Sequence, residues 1–348
     1  MLGGLTFFLL GLLLLINSPL AFAAPRNFAD INKVLNEVTV APNSTPGDAP
    51  ALLTAKQIKA QQLKRHRQLK ISKPFRPSPF DSKKVKSNFD IPVVYNPQVK
   101  KWISYFQSPT KGQRWFRKWL ERSHRYLPPM REDLRLRGLP EDLAFVAMIE
   151  SGFSSQAISE AQAVGYWQFI RATADRYGLV VNWWLDERRD YRKSTNAAAS
   201  YLSDLYKLFG DWYLAASAYN MGENRLKRLI QRHKTTDYWK LSQKPDFPKE
   251  TKDYIPKLIA TMLIAKAPRL YGFNDIKPMS ESRYETFAVP GGTDLFRLAR
   301  ALGISREDLT KLNPELLHGF IPKEVSQHRI RIPTGFASKA SEFVQLTL

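Results

Sequence analysis

Apolar residues recur at helical spacing through the middle of this chain, and the period changes to alternation near its end. Pro97–Phe106 has a helical pattern. Gly112–Ser123 presents Trp115, Phe116, Trp119 and Leu120 at helical spacing, which predicts a stripe facing the core. Leu139–Ile149 is nearly all apolar, and a helix over Asp142–Glu150 ends in a carboxylate. Further helices are predicted over Trp167–Tyr177, Thr195–Phe209, Trp212–Tyr219, Glu223–Gln231 and Ile255–Lys266. In the second of these, Ala197, Ala198, Tyr201, Leu202, Leu205 and Leu208 form one packing face. Beyond Gly272 the pattern shifts: Tyr284–Val289 alternates as a strand and Gly291-Gly292 makes a turn. Thr293–Leu302 and Ser305–Asn313 are amphipathic helices, and Arg329–Pro333 closes as a strand. The expectation is a mainly α chain: a helical domain over residues 88–273 and a small α+β module over residues 283–336.

The first 87 residues differ from this. Leu5–Ile16 is an apolar run of signal-peptide length, and Ala21-Phe22-Ala23 offers a small-residue cleavage site, so residues 1–23 read as a signal peptide. The leading Met-Leu-Gly-Gly has no Lys or Arg, which leaves an uncleaved anchor through Pro19–Ala24 as the alternative. Residues 24–87 then form a basic arm containing prolines. No acid occurs between Asp48 and Asp81, while Lys56, Lys59, Lys64, Arg65, Arg67, Lys70, Lys73 and Arg76 accumulate. The formal charge of +21 would ordinarily suggest nucleic acid. An exported chain meets instead the carboxylates of cell-wall peptides and the anionic faces of membranes, and peripheral, salt-sensitive contact with either is compatible with the arm. The chain has no cysteine, so its stability has to come from the core, and it offers no residue for a lipid-modified N-terminus. His66, His124, His233, His318 and His328 are scattered without ligand spacing, so neither a metal nor a cofactor is expected.

Candidate chemistry centres on Glu150. Leu143, Val146 and Ala147 lie one or two turns before it on the same side of the predicted helix. Burial there would disfavour the ionised carboxylate and raise its pKa, as a general acid working near neutrality requires. The bland alternative is a glutamate at a helix end that points to water. Glu160 sits in a polar stretch, and Asp186, Glu187 and Asp190 lie among Arg188, Arg189 and Arg192, which suggests ion pairing at the surface.

Glu150-Ser151, Gly165-Tyr166-Trp167-Gln168 and Ala218-Tyr219-Asn220 follow one another in order. Together with WLERSHRYLPPM from Trp119, GLPEDL from Gly138, DERRD from Asp186 and ETKDYIPKLIA from Glu250, they resemble the membrane-bound lytic murein transglycosylase D family. The resemblance runs from about Phe89 to Phe273. It implies a lysozyme-like helical catalytic domain that cleaves peptidoglycan glycan strands with a single carboxyl group. By that resemblance Glu150 is the acid/base, and the product is a 1,6-anhydro sugar formed without water. Ser159, Gln168, Tyr219, Asn220 and Tyr254 would contact substrate, with Tyr219 also holding the glutamate, while Ser151 and Gly165 support the turns. Tyr166-Trp167 stand where Leu-Met is often found. The tail, with Gly292-Thr293-Asp294-Leu295, Asn313-Pro314 and a terminal Ile-Pro, resembles a degenerate LysM module, which binds glycans containing N-acetylglucosamine. A structural cap without glycan affinity is the alternative.

The competing functions are a hydrolytic muramidase and a non-catalytic wall-binding protein; nucleic acid is not an expected partner. The expected location is the bacterial periplasm or cell envelope. Gly272 also suggests that the tail can be removed without loss of the chemistry.

Overall fold

The helices begin and end where side chains can satisfy their free backbone groups. The structure, a computed structural model, describes residues 89–347, all within a unit spanning Gln57–Leu348. The expected signal peptide and basic arm lie outside the described residues. Helix α1 (Pro97–Gln107) starts with Pro97 in its first turn, and Asn96 accepts from the Val99 amide at 2.9 Å. It buries Val99, Ile103 and Phe106. Helix α2 (Gln113–Arg135) runs for 23 residues, past the expected end at Ser123 and through Pro128 and Pro129. Met130 and Leu134 anchor its last turns in the core. On its first turns Phe116 and Leu120 are buried, but Trp115 is 60% exposed, with the Lys118 ammonium 5.6 Å from its ring. The expected core stripe is therefore narrower than the spacing suggests.

Helix α3 (Ala144–Ser151) is buried on every side from Ala144 to Ile149. A short 3₁₀ turn, Glu141–Leu143, leads into it. Gly152 ends it with φ +60°, and a Cβ there would come within 2.1 Å of the Trp119 indole, so both the turn and the close approach require glycine. Helix α4 covers only Arg171–Arg176, because Gln168 has φ +50° and Ile170 is extended; Trp167 and Gln168 belong to the preceding loop. Helices α5 (Tyr191–Phe209) and α6 (Trp212–Met221) are capped by Asp190 and Asp211. Helices α7 (Glu223–His233), α8 (Tyr238–Leu241) and α9 (Lys249–Lys266) complete the helical domain. Helix α9 packs on α1, α3 and α6.

In the tail, β1 (Tyr284–Pro290) pairs antiparallel with β2 (Gln327–Pro333), Phe287 opposite Ile330. Helices α10 (Leu295–Leu302) and α11 (Arg306–Leu312) lie between the strands, and α12 (Ala337–Thr347) follows them. The protein is mainly α with this small two-stranded module, as its periodicity implies. Among the described residues no helix is long and apolar enough to cross a membrane.

The tail shares its core with the helical domain. Trp184 and Leu185 are buried in the same cluster as Val289, Leu298, Ile321, Ile330 and Ile332. The Asp186 amide donates to Glu315 O at 2.8 Å, and the Leu317 amide to Trp184 O at 2.9 Å. Arg331 crosses the seam to Asp190 (2.5 Å) and also reaches Glu315 (3.2 Å). Burial pushes the Glu315 carboxyl upward, and Asp190 adds to the effect. Burial pushes the His328 imidazole down to about 4, so it sits neutral beside this network. A separable tail is not what this packing favours. Cutting the chain after Asn274 should expose Trp184 and Leu185, at roughly 1.5–3 kcal/mol for each apolar side chain. Arg331→Ala leaves two buried carboxylates without their cation and should cost about 3–5 kcal/mol. Chemical denaturation of both variants checks this, and a midpoint like that of the parent protein in either one would contradict it.

Candidate active site

Glu150 occupies the last turn of α3, where a helix buried as far as Ile149 first becomes partly accessible. Part of its surface stays open, but protein encloses most of it, and this burial raises its pKa to about 7. The hydrogen bond from Tyr254 and the positive charge of Lys257 pull it down, and Glu250 pushes it up. Tyr254 Oη lies 2.5 Å from Glu150 Oε1. A phenol donating to one carboxyl oxygen fixes the rotamer and leaves the other oxygen available.

Helix α9 supplies this pairing. Glu250, Tyr254 and Lys257 stand at i, i+4 and i+7, so they share one helical stripe. Lys257 Nζ donates to Ile149 O at 2.9 Å, directly before the candidate acid. Glu250 is exposed and accepts from Asn220 Nδ2 at 3.0 Å, while Thr251 Oγ1 donates to Asn220 Oδ1 at 2.6 Å. Asn220 is thus tied to the N-terminal turn of α9. Tyr219 donates to Trp167 O at 2.8 Å rather than to the glutamate. It remains within electrostatic reach of Glu150, and burial pushes its own phenol well up. The tyrosine that holds Glu150 is Tyr254, which corrects the role expected of Tyr219.

The loop after Glu150 is braced from several sides. Ser151 Oγ lies 2.8 Å from Tyr166 O and accepts from the Ser154 amide at 3.1 Å. Ser159 Oγ accepts from the Ala163 amide at 3.0 Å, closing a small turn. The Gln168 amide nitrogen donates to Gly165 O (2.9 Å) and Ala157 O (3.2 Å), so this side chain staples the loop. A Cβ on Gly165, whose φ is +80°, would lie 2.0 Å from Arg188 O. Glycine is required there by the backbone it touches. The structure therefore brings Glu150, Tyr254 and Tyr219 together, sets Asn220 one layer behind, and holds Ser159 and Gln168 in the neighbouring loop.

The Asp186–Asp190 segment is buried, against the expectation of surface ion pairing. Asp186 takes both Arg188 Nε and Nη2 at 2.8 Å, and Arg188 Nη1 reaches Phe169 O at 3.1 Å and Gln162 O at 3.2 Å. Arg189 Nη1 donates to Ser155 O at 3.0 Å. Such charges tolerate burial because each is paired and hydrogen-bonded, and their task is to hold the 155–169 loop. Glu250, Lys257 and Arg188 carry much of this geometry and were not among the sequence candidates. The spacing within ETKDYIPK was the available signal for the first two. Among the described residues no cluster of three or more metal-binding side chains occurs.

Residues 131–242 match the transglycosylase SLT domain, and residues 283–345 match the LysM-like domain of lytic transglycosylase MltD. The two matched regions follow one another along the chain, the SLT-like region first and the LysM-like region after it. The chain is 35% identical over 198 residues to membrane-bound lytic murein transglycosylase D of Escherichia coli K12, covering 55% of this chain and 43% of that protein. The chain therefore spans less than half the length of that relative. Peptidoglycan transglycosylase gp16 of Escherichia phage T7 is 34% identical over 136 residues, 38% of this chain and 10% of that protein. The solved lytic transglycosylase Slt of Pseudomonas aeruginosa is a remote neighbour, with 22% identity, a TM-score of 0.34, and coverage of 44% of this chain and 24% of that one.

The pKa of Glu150 has a stability consequence. Its folded value of about 7 lies above the ordinary 4.5, so the folded chain binds more protons between these values. Its stability contribution is full below the ordinary value and is lost as pH rises through about 7. Glu150→Gln should therefore melt above the parent protein at about pH 8, with most of that gain absent at about pH 5. Calorimetry at the two pH values checks it; an equal difference at both would be inconsistent with a raised pKa. Tyr254→Phe removes a hydrogen bond to the carboxylate and should raise the Glu150 pKa further, as carboxyl NMR titration can measure.

Proposed function

We propose that this protein is a peptidoglycan lytic transglycosylase that cleaves the β-1,4 bond between N-acetylmuramic acid and N-acetylglucosamine, with Glu150 as its single acid/base. The observation that carries this is the Glu150 carboxyl, which lies within the region matching the SLT domain, is raised to about 7 and is clamped by Tyr254 from α9. Near neutrality a large fraction of Glu150 is protonated. It delivers that proton to the glycosidic oxygen as the C–O bond breaks, and the substrate's 2-acetamido group supports the electron-poor carbon. The resulting carboxylate takes the proton of the muramyl C6 hydroxyl as O6 bonds to C1. The product is a 1,6-anhydro ring, and Glu150 ends protonated again. Ser159, Gln168, Tyr219 and Asn220 shape the surface around the sugar, largely through the loop and helix turns they hold.

The supporting readings are an exported, envelope-located chain, from the apolar leader over residues 1–23, and a tail that contacts glycan, from its match to the LysM-like domain. The basic arm adds salt-sensitive attraction to the wall or to an anionic membrane.

One observation favours a second reading. Glu250 is an exposed carboxylate close enough to influence Glu150, and two-carboxylate glycosidases pair a raised acid with an ionised partner. A hydrolytic muramidase would use it. Digestion of purified sacculi followed by mass spectrometry separates the two. Anhydro-muramyl ends are expected, retained in Glu250→Gln; reducing ends alone would overturn the transglycosylase reading. Glu150→Gln should lose roughly a hundred- to ten-thousandfold in rate while remaining folded. With Glu150 as the acid, kcat/KM should decline as pH passes about 7, and a rate still climbing at alkaline pH would contradict that role.

A further inference from the structure

We infer that Lys257 is a positioning residue for this reaction: its ammonium, fixed at the end of α3, stabilises the Glu150 carboxylate once the proton has left. The inference rests on Glu150 being the acid/base.

The geometry around Lys257 is built rather than incidental. Nζ donates to Ile149 O at 2.9 Å and lies 5.6 Å from the Trp119 ring centroid and 5.9 Å from that of Trp102. A carbonyl at the C-terminal end of a helix and two indole faces all favour a cation. Trp119 is the same indole that forces glycine at position 152, and Phe106 and Phe116 pack against it. The ammonium therefore has little freedom. Burial pulls the Lys257 ammonium below its ordinary range, and the negative charge of Glu150, then that of Glu250, offsets part of this in favour of the charged form. A lysine at a surface would swing to water; this one is held on the carbonyl that precedes Glu150.

Its effect is differential over the cycle. When Glu150 carries its proton the two groups interact weakly, because the carboxyl is neutral. As the proton moves to the leaving oxygen, negative charge grows on Glu150 within the electrostatic reach of a fixed cation. The interaction is therefore stronger in the transition state than before it, which is the condition for acceleration. The lysine proton does not move. Tyr254 acts in the same sense through its hydrogen bond, and Glu250 opposes both. From the other elements, Tyr219 on α6 approaches Glu150, and Arg122 on α2 donates to Gly152 O at 3.2 Å. Lys257 is the charged donor among these that comes from the same helix as Tyr254, so one rigid element sets both.

The test compares Lys257→Met, Lys257→Gln and Lys257→Arg in the full chain on sacculi, with melting curves as fold controls. Glutamine keeps a donor for Ile149 O without the charge, and arginine keeps the charge. Loss of the cation should lower kcat by roughly tenfold, less than the loss typical of a direct oxyanion donor, with KM little changed. It should also move the alkaline limb of the rate profile to higher pH, because Glu150 then holds its proton longer. Arginine should restore much of both. An unmoved limb in a folded Lys257→Gln, or equal losses in all three variants, would make the residue structural and overturn the inference. Should Glu150→Gln retain activity, the proposed function itself falls, which is a separate and distinguishable outcome.

Discussion

The site depends on one constraint: a helix buried on all sides has to end at solvent. Helix α3 spends Ala144–Ile149 in the core and can expose only its final turn. That turn carries Glu150, so the packing that stabilises the domain also places a carboxyl at the boundary between low and high dielectric. Burial raises its pKa, and the partners at that boundary, Tyr254 and Lys257, limit the rise. Both come from α9, which crosses α3 as part of the same core. The proton affinity of Glu150 is thus set by helix packing, and a shift of α9 would alter the pKa as well as the fold.

A second layer of order comes from charges taken out of water. Asp186, Arg188 and Asp190 are buried, and each is paired. Arg188 holds the loop that follows Glu150, and Asp190 both caps α5 and receives Arg331 from the tail. One short segment therefore connects the acid's loop, the helical domain and the C-terminal module. Removing either partner of such a pair strands a buried charge, so this segment tolerates change poorly at the same place where it organises the site.

The tail accordingly behaves as part of the domain's structure. Its strands and helices close over Trp184 and Leu185, and its polar seam repeats the same charged segment. Few degrees of freedom therefore separate the tail from the helical domain within this unit. Trp183, 61% exposed beside His318 and Phe320, marks where the seam reaches solvent.

Periodicity by itself determined the mainly helical architecture, the acid-bearing helix and the strand–helix–helix–strand tail, because those follow from local spacing of apolar side chains. The identity of Glu150 as the distinctive carboxyl was also legible, since it alone ends an apolar helix. What local spacing does not encode is which distant groups meet. The pairing of Glu150 with Tyr254 rather than Tyr219, the inward turn of Gln168 and the role of Lys257 depend on how α9, α6 and the 155–169 loop pack together. The same holds for the Asp186–Asp190 segment: a run of alternating charges reads as a solvated surface unless the partners that satisfy it are known. Those partners, Phe169 O, Gln162 O and Arg331, lie up to 141 residues away in sequence, and only the tertiary structure brings them close enough to make burial of the charges affordable.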